Sequence, residues 1–514
     1  MKRIVSHFEG QLVVYVGGIA LFLGAISTYW DIATHIDVGR ERFLTPAHIG
    51  IYTSVLVSGI ALMLSGLSDH FRHGDSLAAT FRHPFKGLRP GIAVAGAGML
   101  TALAAAPLDN GWHEVYGLDV TIWSPPHLLA ILGIAAASLG LAALVSPAAS
   151  GSAHPAYPLL LAAFLTALVM TTAEYEFNAP QYRIAYHVLT LSAIATFVLT
   201  AASGRGWRAT KVAIWFEVVR GVSVLVLLAL GHSLAFVPIL IPAALVADAL
   251  AMRRMKGSVI GLAVATIVVV ANWAALELLP GLSWAGDDLL MGASASLIAG
   301  SAAGWLGWRL GRRLDGEAEP GLYFGRRRAP ALALLGLFLF LTAAPALAHE
   351  LGGNRGGGLI EWSPQTPEAG QRFEVRISDL ALESGNAPGK LRLEAWRAER
   401  RIKVSTVGEG DVRTAKLTLP EEGPWFLFVR AQAAGENLLW GDRFTVAAAG
   451  EGISGEARQR FTLGVDTLTG DEPPAWVDWI AYGIAVAILL LLIRGVLRAL
   501  AQLPQAELGR EPVA

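Results

Sequence analysis

The stretch 31-DIATHIDVGRERFLTPAH-48 joins two apolar runs, each long enough to cross a membrane. Ionisable groups at the edge of hydrocarbon are costly, and where they persist they are paired or functional. Asp31 and His35 are four positions apart, which on a helix places them on one face, one turn from each other. Thr45-Pro46 reads as N-cap and first helical residue, so His48 falls in the first turn of the next helix. An antiparallel helix pair built this way brings one carboxylate and two imidazoles to the same end. The pattern recurs at 109-DNGWHEVYGLDVTIWSPPH-127. There Asp109, His113 and His127 repeat the set, and Ser124-Pro125 repeats the helix start. The gap between the histidines is one residue longer.

Outward from these two stretches the chain is apolar. Of 514 residues 54% are hydrophobic and 16% charged, a composition of polytopic membrane proteins rather than of soluble domains. Twelve apolar spans are expected, near 11–30, 43–66, 90–108, 122–145, 156–175, 184–203, 211–231, 234–252, 258–276, 290–309, 330–348 and 476–498. With the N-terminus in the cytoplasm, the inner loops hold sixteen Lys and Arg residues, among them Arg253, Arg254 and Lys256, against Arg40, Arg42 and Arg183 outside. This positive-inside bias supports both the number of spans and the orientation. Net charge is −1, so no basic field points to nucleic acid. The absence of cysteine excludes disulfides, iron–sulfur clusters, thiolate zinc sites and a cysteine-ligated blue-copper centre.

Four regions follow: a helical membrane domain over 1–320, a membrane helix or internal signal-like segment over 321–348, an exported domain over 349–475, and a last membrane helix with its tail over 476–514. The exported part reads as short alternating runs, such as "RFEVRISDL", "KLRLEAWRA" and "PWFLFVRAQ", separated by turn residues. That spacing predicts a β-sandwich of immunoglobulin or cupredoxin type. The fold class is therefore mainly α and membrane-embedded, with one β domain between the last two helices. Before that domain, "RRRAPALALLGLFLFLTAAPALAHE" has a basic start, an apolar core and an Ala-Leu-Ala end, the grammar of a secretory signal cleaved after Ala348. An uncleaved tether and a processed, fused second subunit both fit. Cleavage would leave His349 at a new N-terminus, where amine and imidazole together chelate a metal ion.

A carboxylate with two imidazoles suits copper, zinc, non-haem iron or manganese, and the histidines are few, twelve in all. Glu174 and His187 echo the His35–His48 spacing more faintly, with Asn178 where a histidine four residues on would stand. Glu217, Arg220 and Asp248 lie within spans and read as ordinary polar pairing between packed helices. Trp30, Trp112 and Trp123 fit an interfacial aromatic belt.

The segment 31–52 resembles the copper-site segment of the C subunit of the particulate methane and ammonia monooxygenases. Asp31, His35, Arg40, Glu41, Phe43, Thr45, Pro46 and His48 carry the likeness. The exported region is similar, more weakly, to that family's B subunit. His349 stands where the mature B subunit begins, but the His-x-His pair is absent, and "GPWFLFVRAQ" offers no ligand in its place. The resemblance implies copper held by Asp31, His35 and His48, with Arg40 and Glu41 orienting a ligand imidazole and balancing charge. A second metal would sit at Asp109, His113 and His127, and zinc or non-haem iron remain open. It further implies a monooxygenase-like protein that activates dioxygen to oxidise a small apolar substrate. Multi-pass insertion in a bacterial inner membrane is expected, with both termini cytoplasmic and 349–475 periplasmic. Partners would be the lipid bilayer and either other monooxygenase-type subunits or further copies of this chain. Two other readings are a non-catalytic copper-handling membrane protein and a cation- or proton-linked transporter.

Overall fold

The computed structural model of the chain describes residues 2–37, 45–72, 88–116, 122–151, 154–177, 184–204, 206–277, 286–317, 351–382, 390–397, 400–408, 412–433, 436–466 and 475–503. The membrane part is built from α1 (Lys2–Asp37), α2 (Pro46–Arg72), α3 (Pro90–Tyr116), α4 (Pro125–Leu144), α5 (Tyr157–Val169), α6 (Ile184–Ala202), α7 (Arg208–Leu230), α8 (Ile241–Met252), α9 (Gly257–Leu276) and α10 (Gly286–Leu314), and α11 (Ala475–Ala501) closes the chain. The α5 span continues through a tight turn at Met170–Thr172 to Glu176. Among the described residues ten helices are long and apolar enough to span a bilayer, α8 being the exception. The chain is thus a multi-pass membrane protein. The span expected over 330–348, with His349 and the junctions at 321 and 349, lies outside the described residues.

One expected span is corrected. Instead of a helix over 234–252, residues 232–240 run without regular secondary structure and only Ile241–Met252 is helical. Pro238 and Pro242 supply the reason, since each removes an amide donor and resists helix continuation. Backbone groups freed in hydrocarbon must be paired within the protein. Glu217 of α7 accepts the amides of Leu240 and Ile241 at 2.9 and 3.1 Å. Asn272 of α9 accepts the Ile239 amide at 2.9 Å and donates to the Ile239 carbonyl at 3.2 Å. Glu217 thus bonds across to the neighbouring segment, in keeping with polar pairing between packed helices, and caps a broken helix. Asp248 acts likewise, accepting the amides of Gly204, Ala209 and Thr210 at the start of α7.

Small residues set the close crossings. A Cβ on Gly98 would lie 2.5 Å from the Gly133 carbonyl, and one on Gly133 would lie 2.7 Å from the Ala102 amide. So α3 and α4 meet backbone to backbone, as Gly-rich membrane interfaces do. Gly257 and Gly261 of α9 pack against Gly304 of α10 in the same way. Trp112 is 7% exposed and packs edge-on against Tyr482 of α11 at 6.2 Å. It therefore belongs to a helix interface rather than to an aromatic belt.

Residues 351–466 form one antiparallel sheet of eight strands, β1 (Leu351–Ser363), β2 (Arg372–Leu382), β3 (Lys390–Arg397), β4 (Arg400–Ser405), β5 (Arg413–Thr418), β6 (Gly423–Ala433), β7 (Glu436–Val446) and β8 (Ala457–Asp466), in the order β4-β3-β6-β7-β8-β1-β2-β5. The Val407–Thr414 bridge joins the two end strands at their hairpin, so the sheet wraps its core. That core holds Ile360, Val375, Leu393, Leu417, Trp425 and Leu463 among others. Six strands match the runs read from sequence. The first and last do not, because "LGGNRGGG" lacks side chains to alternate, and the β1–β8 register shifts at Gly352 and Asn354. Gly356 takes φ 148°, where a Cβ would meet the Ala381 carbonyl.

Gly133→Leu should force α3 from α4 and lower the thermal stability of the detergent-solubilised protein, at a cost of at least about 1–3 kcal/mol. Gly59→Leu, where a side chain meets nothing within 4 Å, should leave the melting temperature unchanged. Thermal unfolding of the two purified variants makes the comparison.

Candidate functional site

The N-cap read at Thr45 is present: its hydroxyl accepts the His48 amide at 3.1 Å, and its carbonyl accepts the Ile49 amide at 2.9 Å. These bonds fix the first turn of α2 opposite the last turn of α1. His48 Nε2 lies 3.1 Å from Asp31 Oδ1, and His35 Nδ1 lies 3.9 Å from Asp31 Oδ2. The three residues each offer one ligand atom, and these atoms lie within 4.8 Å of one another. Four-coordinate metals with bonds near 2.0–2.1 Å set ligand atoms about 3.3 Å apart. The set is thus within small side-chain adjustments of a coordinating geometry. His48 is further held by Tyr52, stacked at 5.6 Å one turn along. Asp31 and His48 are buried, at 9% and 5% exposure.

In the second hairpin Ser124 takes extended backbone angles ahead of Pro125, and its carbonyl receives the Leu128 amide at 3.0 Å. Its hydroxyl makes no capping bond, so the Thr45 cap is not fully repeated. His127 Nε2 lies 3.2 Å from Asp109 Oδ1. His113 sits on α3, but its side chain lies outside the described residues, as do Arg40, Glu41 and the Asn178 position.

The two hairpins face a single cavity of about 300 Å³. Asp31, His35, His48, Asp109, His127 and Glu174 line it together. Glu174 is 5% exposed, and its carboxylate accepts the Ile122 amide at 2.6 Å. It orders the loop ahead of α4, three residues from Pro125. His187 does not join it. The ring stacks on Tyr175 at 4.5 Å, nearly parallel, and is absent from the cavity lining. Apart from the polar end, the walls are apolar, with Val55, Leu56, Leu103, Ile131 and Ile134 among them.

Beneath the first set lies a charged network that sequence reading only half identified. Arg220 Nη2 donates to Glu176 Oε2 at 2.7 Å, and both side chains are fully buried. Thr172 donates to the same carboxylate at 2.9 Å and Tyr29 at 3.1 Å. The Arg220 guanidinium lies 3.4 Å over the Tyr29 ring and donates to the Phe236 carbonyl at 3.2 Å. Tyr29 precedes Asp31 by two residues, so this network pins the end of α1. Glu176 carried no motif; only its place next to Glu174 at the end of a span marked it.

Among the described residues, one that lines the cavity comes from the sheet. Phe426 of β6 lines it. Along β6, Trp425, Leu427 and Val429 enter the sheet core, while Phe426 and Phe428 group with Trp396 on the opposite face. The unbroken run "WFLFV" was the available signal, since a strand apolar on both faces is covered on both.

The chain matches no protein-family model and no curated protein sequence.

Arg220→Met should strand the Glu176 carboxylate and cost about 3–5 kcal/mol, as breaking one side of a buried pair does. The double variant Arg220→Met/Glu176→Gln should regain most of that loss. Chemical denaturation in detergent would register both changes, and equal destabilisation of single and double variants would contradict the pairing.

Proposed function

We propose that the chain is a copper-dependent membrane oxygenase of the particulate monooxygenase type, acting on a small apolar substrate. The observation that carries the reading is the convergence of Asp31, His35 and His48 ligand atoms within 4.8 Å at the polar end of an apolar cavity. The donor set fits the group: two imidazoles and one carboxylate suit copper. Copper held there would supply activation of dioxygen. The residues' own tasks are separable. Asp31, clamped between two imidazoles, sets the spacing of the donors. Glu176 and Arg220 hold Tyr29 and so the helix end. The apolar walls exclude water and admit a substrate that has no polar group to recognise. Asp109, His113 and His127 would hold a second metal or balance the charge of the first.

The cavity favours catalysis over copper handling, because a site that only passes a metal ion has no use for apolar volume beside it. It disfavours the transporter reading as well. Broken helices in transporters line the substrate path, whereas residues 232–240 are absent from the cavity lining among the described residues and are satisfied by Glu217 and Asn272. In this reading the sheet is an exported cupredoxin-type domain, the orientation follows the positive-inside bias, and His349 chelates copper if the chain is cut after Ala348. Association with further monooxygenase-type subunits or with other copies of the chain follows the same resemblance.

Purified protein loaded with copper should show nitrogen hyperfine structure in its paramagnetic resonance spectrum. Asp31→Ala/His35→Ala should lose about one equivalent of copper per chain, since each lost ligand lowers affinity by orders of magnitude. Retention of full copper by that variant would defeat the reading. Binding should weaken as pH is lowered, because protons compete with the metal for the imidazole nitrogens.

With no cysteine in the chain, the copper-loaded protein should show no intense blue thiolate absorption. A strong band of that kind in its visible spectrum would contradict the ligand assignment.

A further inference from the structure

The cavity has two boundaries that differ in chemistry. On one, Leu56 of α2 and Leu103 of α3 line the cavity while remaining 61% and 59% exposed. Both lie within membrane spans, Pro46–Ser68 and Pro90–Asp109. Leu56 is eight residues along α2 from His48, and Leu103 is six residues along α3 from Asp109. At 1.5 Å per residue these offsets put the gap about 9–12 Å deeper in the bilayer than the carboxylates and imidazoles. Since the hydrocarbon core is about 30 Å thick, these two exposed side chains lie at hydrocarbon depth.

The other boundary meets the sheet. Phe426 reaches the cavity from β6, on the face opposite the sheet core. It is flanked there by Trp396 and Phe428, which are 5% and 2% exposed. Next to this aromatic group, Glu394 is 1% exposed and bound by Arg392 at 3.1 Å and Arg430 at 3.2 Å. A buried carboxylate between two guanidinium groups is costly to open and holds the face in one arrangement. The sheet is also tied down by contact of β7 with α1, and by α11, which follows it in sequence and packs Tyr482, Ala485 and Leu489 against Trp112, Leu128 and Leu129.

We propose that the cavity is loaded sideways from the bilayer through a portal between α2 and α3 at Leu56 and Leu103, and that Phe426 of the sheet domain is the plug that shuts it from water. The ligand class is a small, uncharged, apolar molecule that partitions into lipid. No polar ligand enters, because the path from water meets three aromatic rings and the path from lipid excludes charge. Phe426 and Leu103 are on this view specificity-determining residues, selecting by route of entry before any contact with the polar end.

This inference rests on the reading of the cavity as a substrate site, and its test runs without metal, so the two can fail separately. The chain has no native cysteine, and a single reporter, Ala130→Cys, places a thiol on the α4 wall of the cavity, three residues from His127. In proteoliposomes, a butyl methanethiosulfonate dissolved in the bilayer should label the reporter thiol at least about tenfold faster than a trimethylammonium-ethyl methanethiosulfonate in water, given the cost of charge in hydrocarbon. Adding Leu103→Trp should slow the alkyl reagent about tenfold by filling the portal, and should leave the charged reagent unaffected. Adding Phe426→Ala should speed the charged reagent about tenfold, and Phe426→Trp should not. Melting temperatures within a few degrees of the reporter protein confirm that each variant is folded. The charged reagent reaching the reporter thiol equally fast with and without Phe426→Ala would overturn the plug. An alkyl rate indifferent to Leu103→Trp would overturn the portal. Protein that binds no copper yet keeps this labelling pattern would sink the metal reading alone.

Discussion

Every amide and carbonyl placed in hydrocarbon must find a partner inside the protein, and at the break over residues 232–240 this chain meets that demand with side chains from neighbouring helices. Glu217 and Asn272 satisfy Ile239, Leu240 and Ile241, and Arg220 reaches the Phe236 carbonyl. Arg220 cannot stand alone in such surroundings, so Glu176 neutralises it, and Tyr29 and Thr172 complete the carboxylate's bonds. A backbone irregularity thereby dictates a buried ion pair, and the ion pair dictates where Tyr29 sits. Asp31 is two residues further along the same helix. The position of the candidate ligands is in this sense a consequence of how the membrane part satisfies its own backbone.

The second hairpin reaches the same point by another route. Gly98 and Gly133 allow α3 and α4 to touch through their backbones, and at that spacing Asp109 and His127 face each other at 3.2 Å. Burial makes a bare carboxylate expensive. Each aspartate here has an imidazole within about hydrogen-bond reach, and the Asp31 carboxylate has two within 3.9 Å. These pairs hold the donors near coordinating separation before any metal arrives, which reduces the reorganisation that binding would demand. Two carboxylates in one cavity would also offset the charge of a divalent ion, were one bound, in a medium that screens poorly.

Much of this was legible in the sequence, for identifiable reasons. Helix starts at Thr45-Pro46 and Ser124-Pro125, and the four-residue step from Asp31 to His35, are local signals, and local signals survive into the fold. The same holds for the alternating strands. What failed was non-local or lacked side chains. The 234–252 run is apolar apart from Asp248, and hydropathy does not register that Pro238 and Pro242 break its hydrogen bonds. Strand β1 is mostly glycine and has no pattern to read. Glu217 and Arg220 read as polar pairing between packed helices, and each does bond across to another segment, but spacing within one helix does not name a partner distant in sequence. The Glu174–His187 echo kept the spacing without the convergence, because Tyr175 captures the imidazole by stacking.

The alternation in β6 carries the last step. A strand with Trp425, Leu427 and Val429 on one face has already filled its place in the sheet core. Phe426 and Phe428 on the other face then have to be covered by something outside that core, and the cost of leaving two aromatic side chains in water is of order 2–3 kcal/mol each. Trp396 covers part of them. The cavity at the ends of α1 to α4 takes Phe426. An apolar cavity with polar donors at one end is itself unstable against flooding unless its mouth is shut. The two needs are complementary: the sheet has an aromatic face that must leave water, and the cavity has an end from which water must be kept. Joining them in one chain, with α11 packed beside α3 and α4 to fix their register, satisfies both at once, and makes the sheet a structural part of the site rather than an appendage to it.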